Sequence, residues 1–156
     1  MLGMALLLYY ITDRWLFPGN AAEQERQLLA KIEECAAEGV DFVQLREKDL
    51  GTHALEQLGG KAMASLGNSR TRLLINSRTD VALACRAHGV HLPANDLAAS
   101  EVRAIFSRVG VGLPIVAVST HSAAEVASAE AHGADFAVFG AVLEKSGTIN
   151  RFFASL

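Results

Sequence analysis

Residues 40–50 read VDFVQLREKDL, a largely apolar run that goes on to set Gln44, Arg46 and Lys48 at every second position. Side chains alternate across a strand, so a strand through this stretch turns all three polar groups to one side. An apolar strand with that ending suits a parallel α/β sheet, whose strands are buried on both faces and whose ligands lie beyond the carboxyl ends. Two cations and an amide donor at such an end make an anion site.

Outward from this strand the pattern repeats. Apolar bursts recur at 6–12, 72–76, 89–92, 113–119 and 135–140, and the amphipathic stretches between them predict helices near 21–37, 52–66, 79–87, 98–107 and 122–132. AAEGVDF (36–42), RAHGVHL (86–92) and EAHGADF (130–136) each place a glycine where a helix must stop and a strand begin. Their spacing is not fixed, which disfavours a solenoid. The expected fold is α/β, of the (β/α)8 TIM-barrel family and incomplete, with about six βα units present. A closed barrel takes about 250 residues, or about 200 at the compact end; the sequence has 156. One incomplete domain is expected over residues 1–147 and an irregular tail over 148–156.

Composition narrows the class. Hydrophobic content of 51% with 20% charged residues is that of an ordinary globular protein. A net charge of −3 and scattered Lys and Arg argue against a nucleic-acid surface, so any bound anion must meet a local site. Cys35 and Cys85 show no metal or redox spacing and read as reduced, buried thiols of a cytoplasmic protein. The opening MLGMALLLYY lacks a cationic start and a cleavage site, so it reads as a buried strand, not a signal sequence. No apolar run approaches the roughly 18 residues of a membrane span.

The other strand ends carry further polar groups that packing does not require: Asn76 and Ser77, Asp96, Ser119 with Thr120 and His121, and Glu144 with Lys145. Amide, carboxylate, hydroxyl and ammonium groups around one rim suit a diphosphate with a divalent metal. Asp96 is the metal candidate, because Mg²⁺ takes one or two carboxylates, several waters and substrate phosphate oxygens; the rival reading makes it the N-cap of the helix at 98–107. His121 is a general acid or base, or a loop hydrogen-bonder. Ser122 with Glu125 reads as an N-cap and capping box. Glu47 and Asp49 could instead neutralise Arg46 and Lys48 on a solvated loop.

These residues resemble the thiamine phosphate synthase and thiazole tautomerase family. YYITDR (9–14), VQLREKDL (43–50), LLINSRTDVALA (73–84), GVHLPANDL (89–97), VSTHSAAEV (118–126) and GADFAVFGAVLEKSG (133–147) carry the resemblance in family order. It implies a Mg²⁺-dependent barrel enzyme that joins a hydroxymethylpyrimidine diphosphate to a thiazole phosphate and releases pyrophosphate. By position Gln44, Arg46 and Lys48 would hold the diphosphate, Asn76 would contact it or the pyrimidine, Asp96 would bind Mg²⁺, Ser119 would touch the diphosphate and Lys145 would cover it. Three departures stand out: Ser77 replaces the family's second metal-binding Asp, GluLysSerGly replaces a Thr-rich loop, and the seventh and eighth units that hold the thiazole phosphate are missing. Two other readings stay open: a tautomerase-like isomerase using His121, and a truncated barrel that binds or self-associates through exposed sheet edges without turnover. Small-molecule substrates and a homo-oligomer are the expected partners.

Overall fold

The computed structural model describes residues 6–140 and 152–155. They fall into two units, Met1–His88 and Gly89–Leu156. In the first, β1 (Tyr9–Ile11), β2 (Phe42–Leu45) and β3 (Arg72–Asn76) run parallel in chain order, with Ile11 opposite Gln44 and Leu45 opposite Ile75. The helices α1 (Ala21–Ala37), α2 (Thr52–Leu66) and α3 (Thr79–Ala84) follow them in turn. In the second, β4 (Gly89–Leu92), β5 (Ile115–Thr120) and β6 (Phe136–Phe139) are again parallel, with α4 (Ala99–Val109) and α5 (Ala123–Ala131) between them. This is the expected α/β alternation of an incomplete (β/α)8 barrel. Within the segment expected to be irregular, β7 (Phe152–Ser155) pairs antiparallel to β6.

Burial explains the apolar bursts. Val43, Leu45, Leu73, Leu74 and Ile75 are wholly buried with Leu28 and Ile32 of α1, and all four residues of β4 are buried. A parallel strand is covered on both faces, so its apolar run is continuous. Ile75 faces α2, its Cδ1 only 3.7 Å from where a Cβ on Gly59 would stand. Leu74 and Asn76 therefore face away from the helices, and by register so does Gln44.

The helix-to-strand corners share a construction that differs from the glycine pattern. Gly39 and Gly133 follow the last residues of α1 and α5 in the left-handed region, at φ 75° and 79°. At the third corner that place is taken by Arg86, at φ 56°, which ends α3 three residues short of the predicted 87. Gly89 there serves another purpose: a Cβ on it would stand 1.8 Å from the Ile115 carbonyl oxygen, so only glycine lets β4 approach β5.

Two residues beyond each left-handed residue comes a side-chain acceptor. Asp41 accepts the Leu8 N–H at 2.7 Å, His88 Nδ1 the Leu73 N–H at 2.9 Å, and Asp135 the Val116 N–H at 2.7 Å. The N–H of each acceptor residue donates back to the carbonyl of the same partner, at 3.0, 3.0 and 2.8 Å. Each corner thereby satisfies a backbone amide beside the start of the preceding strand in the chain, Leu8 just before β1 and Leu73 and Val116 second in β3 and β5.

Candidate active site

β2 ends at Leu45, and residues 47–50 form a turn closed by the Leu50 N–H on the Glu47 carbonyl at 3.2 Å. Gln44 lies inside the strand, 2% exposed, and its Nε2 donates to the Tyr9 hydroxyl at 3.0 Å. Arg46 is half-buried, one residue past the strand, in line with Asn76 at the end of β3. Lys48 lies in the turn and is exposed, so strand alternation does not set its direction.

The acidic neighbours of these cations are taken elsewhere. Glu47 is 4% exposed and accepts from the Thr12 hydroxyl at 2.6 Å, the Arg14 N–H at 3.2 Å and Arg14 Nη1 at 3.0 Å. Arg14 also grips both oxygens of Asp49. The hydrogen bond donated by Arg14 holds the Asp49 carboxyl below its usual range, and the same bond, accepted by Asp49, raises the guanidinium in turn. Burial pushes the Tyr10 hydroxyl up to about 12, so it stays neutral. Among the described residues the ion pairs use Arg14, Lys31, Lys61, Arg78 and Arg103, and none involves Arg46 or Lys48. The solvated-loop alternative, in which Glu47 and Asp49 neutralise those two cations, is not what forms.

In the second unit the loop after β4, the end of β5 and one side of α5 line a cleft of about 150 Å³, whose polar residues include Asp96, Ser119, Thr120, Glu125 and His132. Asp96 is exposed, and one of its oxygens accepts the Leu97 N–H at 2.8 Å. It is not the N-cap of α4: Ala98 holds that place, its N–H donating to Glu101 at 2.8 Å. Ser119 is half-buried, with its Oγ 2.7 Å from His91 Nε2. His121 is exposed, and its Nδ1 bonds the Gly140 carbonyl, which can only accept. Ser122 caps α5 as expected, accepting the Glu125 N–H at 3.2 Å, while Glu125 reaches the His121 N–H and not that of Ser122.

Asp96 and Ser119 thus meet in one cleft, and Gln44, Arg46 and Asn76 sit together at neighbouring strand ends of the first unit. Lys145 lies outside the described residues. Among those described, no group of three or more His, Cys, Asp or Glu side chains is placed to hold a metal ion. Asp96 is the exposed carboxylate of the cleft, since Glu125 is half-buried and accepts the His121 N–H; one such carboxylate fits Mg²⁺, which keeps most of its waters and takes phosphate oxygens from a substrate, and would not fit a metal that needs a protein cage. No helix among the described residues is long and apolar enough to cross a membrane.

Sequence reading gave no role to Arg14 or His91 and offered Glu47 only as a partner of Arg46 and Lys48. His91 left a weak signal as the one polar residue in an otherwise apolar burst; Arg14 left none.

Comparison with known proteins agrees with this geometry. The family model described as thiamine monophosphate synthase matches residues 8–147. A putative thiamine-phosphate synthase of Geobacter sulfurreducens is 42% identical over 86% of this chain and 59% of its own length. The thiamine-phosphate synthase of Clostridium acetobutylicum is 34% identical over 89% of this chain and 61% of its own. Among solved structures, thiamine phosphate pyrophosphorylase from Pyrococcus furiosus superposes with a TM-score of 0.72 at 28% identity, over 88% of this chain and 61% of that one. The chain thus spans about three fifths of the length of these relatives, and by sequence and fold alike it belongs to the thiamine monophosphate synthase family.

Proposed function

We propose that this chain binds a pyrimidine diphosphate and acts in thiamine biosynthesis as a synthase-type transferase, joining hydroxymethylpyrimidine diphosphate to thiazole phosphate with release of pyrophosphate. One observation carries the reading. Arg14 takes both acidic neighbours of the QLREKD motif, which leaves Arg46 and Lys48 at a strand end without an ion-pair partner among the described residues. Fixed positive charge there is a preformed counterpart for an anion.

In this proposal Arg46 and Lys48 hold the diphosphate, Gln44 offers the amide hydrogen that Tyr9 does not use, and Asn76 orients the phosphate or the pyrimidine. Ser119 donates to a phosphate oxygen. Asp96 would hold Mg²⁺, which supplies charge neutralisation for the departing pyrophosphate. Lys145 would add a further cation. As the bond to the pyrimidine methylene breaks, negative charge grows on the leaving group, and side chains already in place stabilise it without reorganising. The proposal places the protein in the cytoplasm as a homo-oligomer, supported by Leu6, Leu8, Trp15 and Leu16, all exposed in the first unit.

A second reading draws on His121. With Nδ1–H donating to Gly140, its Nε2 carries the lone pair at an exposed position, as a tautomerase base requires. The transferase needs Mg²⁺ and releases pyrophosphate, whereas the isomerase needs neither, so one assay with and without chelator separates them. Calorimetry with Mg²⁺ and inorganic pyrophosphate tests the anion site. Arg46→Ala abolishes binding, and unchanged affinity refutes the site.

A further inference from the structure

His91 is buried in β4, 3% exposed, and its Nε2 lies 2.7 Å from Ser119 Oγ. The register pairs His91 with Ala117, so Ser119, two residues further along β5, faces the same side of the sheet. The imidazole therefore spans diagonally from one strand to the carboxyl end of the next, where Ser119 meets the cleft that Asp96 also lines.

A serine hydroxyl has one proton and two lone pairs. If Nε2 carries its lone pair, the serine proton points at the ring and the oxygen shows only lone pairs to the cleft, which repel an anion. If Nε2 carries a proton, the ring donates to Oγ and the serine proton is released toward the cleft. A phosphate oxygen only accepts, so just the second arrangement binds it.

We propose that His91 is a positioning residue, held as its Nε2–H tautomer, that turns the Ser119 hydroxyl into a donor for a phosphate oxygen. The proposal rests on the reading that Ser119 touches the diphosphate. Its action is indirect: His91 need not contact the ligand.

The test measures Mg²⁺-pyrophosphate affinity by calorimetry for the intact chain, Ser119→Ala, His91→Phe, His91→Gln and the double variant Ser119→Ala/His91→Phe, with circular dichroism to confirm folding. Loss of one hydrogen bond to a charged acceptor weakens binding about tenfold or more. Ser119→Ala and His91→Phe each give that loss, the double variant loses no more than either, and His91→Gln, whose amide can place a donor near the same point, restores most of it. If the intact chain does not bind, or Ser119→Ala binds like it, the reading of Ser119 fails. If Ser119→Ala weakens binding while His91→Phe does not, or the two losses multiply in the double variant, the reading of Ser119 survives and the role of His91 is overturned. Nitrogen NMR of the intact chain reads the tautomer even where His91→Phe fails to fold: a proton on Nε2 supports the proposal, and a neutral ring protonated on Nδ1 overturns it.

Discussion

Replacing Arg14 by methionine isolates the interaction on which the proposed anion site depends. The Arg14 side chain is 9% exposed and that of Glu47 1%, so the substitution leaves a carboxylate buried without its cation. Breaking a buried pair from one side costs about 3–5 kcal/mol. Glu47 keeps two donors, the Thr12 hydroxyl and the backbone N–H of residue 14, which places the loss at the low end, about 3 kcal/mol. The Asp49 arm adds less than about 1 kcal/mol, since that carboxylate is 44% exposed and screened. For a chain of this size the sum, about 3–4 kcal/mol, lowers Tm by about 6–16 °C. Urea and thermal unfolding followed by circular dichroism measure it. Glu47→Leu is destabilising for the matching reason, while Arg14→Met/Glu47→Leu recovers most of the loss because no buried charge is left. A loss below about 1 kcal/mol for Arg14→Met would show that the pair behaves like a surface contact, and the account of Glu47 as a buried, committed carboxylate would be wrong.

The corners between helices and strands yield three further predictions. Arg86 holds a left-handed conformation that costs a non-glycine residue about 1–2 kcal/mol; part of this is returned to the unfolded chain, so Arg86→Gly stabilises by about 1 kcal/mol or less in urea titration, whereas Gly89→Ala, aimed at the Ile115 carbonyl, yields no folded protein. His88 accepts the Leu73 N–H only when Nδ1 is unprotonated, and burial, then Arg72, lowers its pKa below the usual 6.5. The unfolded chain therefore takes up the proton first as pH falls. The contribution is complete above about 6.5 and is lost as pH drops from there through the lower folded value. His88→Asp, which installs the acceptor used at the other two corners, removes this sensitivity, and an unchanged slope of stability between pH 7.5 and 5.5 would count against the mechanism.

Local pattern alone set out most of the scaffold. The limits of α1, α2, β3 and β4 match the predicted ones because apolar periodicity and the residues that stop helices act over a few neighbours, and burial on both faces makes parallel strands legible as continuous apolar runs. The strand-end polar residues were legible for the same reason: packing gives no cause for them. What only the tertiary structure decided are pairings between residues far apart in sequence. Arg14 claims Glu47 and Asp49 more than thirty positions away, leaving Arg46 and Lys48 without an ion pair among the described residues, and His91 on β4 reaches Ser119 on the neighbouring β5. At the third corner the visible glycine, Gly89, answers a collision with Ile115, while the left-handed turn falls to Arg86. Sequence shows which side chains are available; register and burial decide which partner each one meets, because a charge or donor in a dry interior must pair with whatever the fold brings within about 3 Å.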